Sequence, residues 1–231
     1  LNSANIKVDQ IYAQSSSTVS LGEQLKYVDA LLVYGGVITL QHSGITIGNL
    51  IYGKESRLQC SGYLFRVKHF LLHSPNQYNP MKIFNCTVEL QSQIKLLESS
   101  ATLHLENGVS MVFRKSSLVD IKTDTTFVVS GTSDSTVLNE GHVSVHGTLE
   151  LKNDITSTGI IELFGQGQVT IERKSTLTSQ KVYIDYGSQL KTTGAGPHRV
   201  TLSSADQIQG WISAEEMTLD LTDLTELGYL Q

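Results

Sequence analysis

Apolar residues alternate with other residues along this chain in short bursts, each closed by a glycine or a polar turn after two or three inward positions. The clearest burst is Asn139-Glu-Gly-His-Val-Ser-Val-His-Gly-Thr-Leu-Glu-Leu151. Val143, Val145, Leu149 and Leu151 fall on one face there, and Ser144, His146 and Glu150 fall on the other. Gly147 divides the run, so each half is too short for a sandwich strand, and a period of two is wrong for a helix. Such a segment reads as the corner of a β-solenoid coil, in which two short strands meet.

The pattern returns in Gly159-Ile-Ile-Glu-Leu-Phe-Gly165 followed by Gln168-Val-Thr-Ile-Glu172. Laying Gly141 on Gly159 and Gly147 on Gly165 places Val143 and Val145 on Ile161 and Leu163. Leu149 and Leu151 then meet Val169 and Ile171 after a small insertion. Val182, Ile184, Gly187 and Leu190 fill the same places once more. The repeat is roughly 18–22 residues, the length of a unit that buries its apolar face only by stacking on its neighbours. Ile6, Val8, Val19 and Leu21 near one end, and Ile208, Ile212, Met217, Leu219 and Leu221 near the other, alternate in the same manner. Residues 25–40 fit least well, because the Leu31-Leu-Val33 run suits a helix or a buried strand; a strand is expected. Two stretches leave the pattern. Residues 73–81 hold two of the three prolines, and residues 192–198 are rich in Gly and Pro, so both predict loop excursions.

Composition changes this picture little. The 231 residues are 39% hydrophobic and 17% charged, enough for a continuous core, and no shift of composition marks a boundary, so residues 1–231 read as one domain. A net charge of −5 without a Lys/Arg stripe disfavours nucleic acid. No stretch approaches the roughly 20 apolar residues of a bilayer-spanning helix. The chain opens on Leu1 with no apolar leader, which predicts either a processed protein or a piece of a longer one.

Cys60 and Cys86 are spaced by slightly more than one coil, which allows a disulfide between adjacent rungs or two buried free thiols. Asn85-Cys-Thr87 is an N-glycosylation sequon. Both features point to an oxidising compartment, and the chain is expected to be secreted or held at the cell surface.

Catalytic candidates are sparse. His142 and His146 share a face, but four residues of strand set them about 13 Å apart, too far for one metal ion, so both are read as solvated. Asp120, Asp124, Glu150, Asp154, Glu162 and Glu172 are singly spaced; Glu150 and Glu162 are expected on different sheets, and Lys152 and Glu172 at matching places on adjacent coils. That arrangement reads as a surface charge ladder. Nucleophile and phosphate-loop motifs are absent, and no cofactor or metal is expected. Asn76, Tyr78 and Asn79 on the first excursion form a candidate ligand loop suited to carbohydrate.

The 139–151 line resembles the coils of single-stranded right-handed parallel β-helix adhesins, closely over 100–231 and loosely over 1–99. The ring-forming cores of extracellular aggregation factors are a further possible relative. The resemblance implies an all-β, right-handed solenoid and carries over no functional residue. It implies a non-catalytic structural or adhesion module that self-assembles, or joins cells and matrix through copies of itself or neighbouring matrix proteins. A β-helix polysaccharide lyase or hydrolase and a carbohydrate-binding module are the alternatives.

Overall fold

A computed structural model describes residues 6–73, 80–178, 181–193, 198–202, 207–214, 217–221 and 227–230. Among these, every regular element is a strand, and no helix occurs. The strands pair in parallel ladders from coil to coil, which makes the chain a parallel β-solenoid with its core inside the stack. The register of the repeat is as the alternation predicts. Val143 and Val145 lie beside Ile161 and Leu163, Leu149 and Leu151 beside Val169 and Ile171, and Val182, Ile184 and Leu190 continue the rows. All eleven side chains are buried. The glycines match differently. Gln168 N–H donates to Gly147 O, so Gly147 stacks on Gly167 and the extra residues precede that corner. Gly141 and Gly159 do stack as expected, so closely that a Cβ on Gly159 would collide with Gly141 O.

The coil length is not constant. Partners are 18 residues apart at Asn139 and Ser157, 23 at Arg66 and Glu89, and 26 at His104 and Ser130. The cross-section changes as well. The early coils pair a long strand with a short one, as in Ile45–Gly53 with Arg57–Gln59 or Leu64–His73 with Met81–Phe84. Thr87–Leu96 is the pivot. Its first half pairs with Ser110–Phe113, and Gln93 and Ile94 pair with Leu118 and Val119 of Leu118–Ile121. Over the following coils three short strands replace the two, as in Thr136–Asn139, His142–Val145 and Thr148–Leu151, until Gln207–Ala214 again pairs as one strand with two successive strands, Lys181–Ile184 and Gln189–Thr192.

The long strands turn a corner without a break. Their buried residues step by two, then three, then two: Ile45, Ile47, Leu50 and Tyr52, then Phe65, Val67, Phe70 and Leu72 beneath them. The step of three swings the second half onto a new wall while keeping its apolar side inward. Leu31 and Val33 follow the same rule, which is why residues 25–40 look irregular in sequence and yet form the strands Leu25–Tyr34 and Val37–Leu40. In the later coils polar residues serve at the corners. Buried Asn139 donates through Nδ2 to Ser157 Oγ at 3.0 Å and accepts from Gly141 N–H at 3.1 Å.

Candidate functional site

Cys60 and Cys86 close a disulfide between neighbouring coils with Cα atoms 4.9 Å apart, and both are buried. This settles the two readings of the pair in favour of the bond. In a chain-entropy account, a cross-link over 26 residues stabilises by roughly 3–4 kcal/mol. Asn85 sits beside it on an exposed corner with φ of 47°. The coils on either side turn through Ser61-Gly62 and Asn107-Gly108, also with positive φ. Asn85 is therefore flanked above and below by small or polar corner residues.

Several outward carboxylates are paired with cations, some on the same coil and some on the next. Glu89, almost buried, takes Arg66 at 3.1 Å and also Arg114, whose other nitrogen reaches Glu140 at 3.2 Å. Burial alone would raise the Glu89 carboxyl, but the hydrogen bonds and charges of Arg114 and Arg66 outweigh it and hold the group below its usual range. Glu162 is held low in the same way, with burial opposed by Lys181 and His142 at 2.8 Å each. Lys152 bridges Glu172 at 2.9 Å and Glu150 at 3.4 Å, the coil-to-coil pairing expected from sequence. Glu150 and Glu162 stand in separate ladders, Thr148–Leu151 and Ile160–Leu163. Asp120 pairs with Lys122, and Asp124 occupies a corner with φ of 58°. Among the described residues no three His, Cys, Asp or Glu side chains are grouped to hold a metal ion.

His142 and His146 are engaged by the protein. His142 pairs with Glu162, and His146 stacks on Phe164 at 5.0 Å, with Tyr183 a further 5.2 Å along. The faces of His146 and Phe164 are turned to each other at 19°, and Lys181 lies near the Tyr183 ring. This column was legible in part, since His146 and Phe164 each follow the last inward residue of matched strands. A second column joins Tyr12, Tyr34 and His73. Tyr34 lies over Gly53, where a Cβ would stand 2.5 Å from its ring, so Tyr34 meets His73 edge to face across that vacancy.

Grooves open on the walls among the described residues. One, of about 210 Å³, is lined by Ser15, Tyr34, Gly35, Lys54, Glu55 and His73. It lies at the root of the first excursion; Asn76, Tyr78 and Asn79 themselves lie outside the described residues. A second, of about 230 Å³, opens beside Lys95 and Leu96, where the pairing with Leu118–Ile121 stops after Ile94 and Val119. Inside the coil stack the void is about 20 Å³ and apolar, room for one water at most. Comparison with known protein families, curated proteins and solved structures finds no match to this chain.

Proposed function

We propose that the chain is a non-catalytic structural or adhesion module of an extracellular or cell-surface protein, built to associate with copies of itself or with neighbouring matrix proteins in a larger particle. The observation that carries this reading is the pairing of wall carboxylates with cations instead of their gathering into a reactive cluster: Glu89 with Arg66 and Arg114, Glu162 with Lys181, and Glu172 with Lys152. The disulfide and the Asn85 sequon support an oxidising compartment. The committed carboxylates support a non-catalytic role, since a polysaccharide hydrolase holds one carboxyl high to donate a proton, and Glu89 and Glu162 are held low.

Sedimentation of the purified full chain tests the reading. Association is expected, seen as a sedimenting mass above the 25.3 kDa of one chain; a chain that stays monomeric at high concentration overturns assembly. One observation favours carbohydrate binding as a second reading: the Tyr34–His73 groove offers ring edges, a cation and a carboxylate beside the excursion that carries Asn76, Tyr78 and Asn79. Glycan-array binding lost in Tyr34→Ala is the outcome that reading requires.

A further inference from the structure

The three residues of the sequon are held by coils on both sides. Asn85 N–H donates to Glu106 O at 3.0 Å, and Asn85 O accepts from Gly62 N–H at 2.6 Å. Cys86 O accepts from Ser110 N–H at 2.9 Å while its sulfur is bonded to Cys60. Thr87 N–H donates to Tyr63 O at 3.2 Å, and Thr87 is paired with Leu64 on one side and Ser110 on the other. The Asn85 side chain is nonetheless exposed, on a corner whose neighbours are Ser61-Gly62 and Asn107-Gly108. The folded protein thus has room for a finished glycan on Asn85. It does not have a sequon free to leave the wall and enter an enzyme that reads asparagine and threonine together.

We propose that Asn85 is glycosylated before the Cys60–Cys86 bond and the surrounding ladder close, and that closure of this disulfide ends the period in which the site can be modified. This rests on the secreted reading above. In the first step an oligosaccharide passes from a lipid diphosphate carrier to Asn85. A bond forms between the anomeric carbon and Nδ2, the bond from that carbon to the phosphate oxygen breaks, and the amide gives up one proton. In the second step an oxidised dithiol catalyst takes two electrons and two protons from the thiols of Cys60 and Cys86. The second step draws together residues 26 apart, and Cys86 is the middle residue of the sequon, so the bond fixes the acceptor directly. Further coils then cover it, when Glu106 and Ser110 reach Asn85 and Cys86.

The order is tested with full-length chain made without glycan and with its disulfide formed. It is offered to membranes bearing the oligosaccharide transferase and a lipid-linked donor, either folded or after reduction and unfolding. The reduced chain is expected to be modified at least about tenfold faster, because reaction of the folded chain must wait for local opening of the ladder. Thr87→Ala, which removes the sequon, is expected to remain unmodified in both states. In secretory cells, Cys60→Ser, which leaves Asn85-Cys-Thr87 intact, is expected to show occupancy at least equal to wild type. Equal rates for the bonded and reduced chains overturn the order, and no modification of either overturns the site. Bare Asn85 with two free thiols in natural material would instead overturn the secreted reading, and leaves the ratio of the two rates unchanged.

Discussion

Asn139 and Ser157 hydrogen-bond inside the wall of the solenoid, Nδ2 to Oγ at 3.0 Å, from equivalent places on consecutive coils. Asn139 also accepts from Gly141 N–H at the corner where Gly141 and Gly159 stack. Asn139→Ala removes both bonds within a buried setting, and is expected to cost about 1–3 kcal/mol, since buried polar groups lose partners that water cannot replace. Urea unfolding with an unchanged m value would register it; a loss below a few tenths would show that the corner holds without the amide.

Leu163 is fully buried between Val145 and Ile184. Leu163→Ala is expected to destabilise by about 2–5 kcal/mol, the cost of lost transfer energy plus a cavity that neighbouring coils fill only partly. Leu151→Ala is expected to fall in the same range. Equilibrium denaturation of the two variants checks both values.

Glu89 supplies a pH dependence with a definite sign. Its carboxyl is held below the usual range of a glutamate, so its contribution is present above the unfolded pKa and is lost as pH falls through the folded one. Stability measured from pH 6 down to pH 2 should therefore decline in the acid limb, and Glu89→Gln should flatten the decline. Arg114→Ala should shift the midpoint of that limb upward, because Glu89 then keeps Arg66 alone against its burial.

Reduction of the disulfide, or Cys60→Ser, is expected to cost roughly 3–4 kcal/mol from chain entropy. Hydrogen exchange should place the effect. Amides of Cys60, Asn85 and Thr87 should exchange faster, while those of His142–Val145 and Ile160–Leu163, several coils away, should not.

The later coils were legible because corner and strand carry different residues: Gly141 and Gly159 mark the bend, and Val143 and Val145 announce the wall. Alignment on the glycines alone sets Gly147 on Gly165, because an insertion between two glycines can be drawn on either side of the second, and only the Gln168 to Gly147 hydrogen bond decides. The early coils were harder. Their bends occur inside strands, and the inward step from Ile47 to Leu50 or Val67 to Phe70 imitates helical spacing. The Arg66–Glu89–Arg114 run was invisible for another reason: it joins side chains 23 and 25 residues apart, and a coil whose length varies from 18 to 26 residues gives no fixed offset at which to look.

The hydrogen bonds of a solenoid run along its long axis, so a pull on its ends opens one coil at a time, as a thread is drawn from a spool. Cys60 and Cys86 tie two neighbouring coils together along that same direction with a covalent bond. Unwinding that starts at Ile6 can release the coils before Cys60 but must skip the tied loop, whose contour stays hidden from the force. The bond makes the tether's extension depend on redox state: a single-molecule pulling trace should lengthen by the loop's contour when a reductant is added, and a trace of unchanged length would show that tension does not reach the bond.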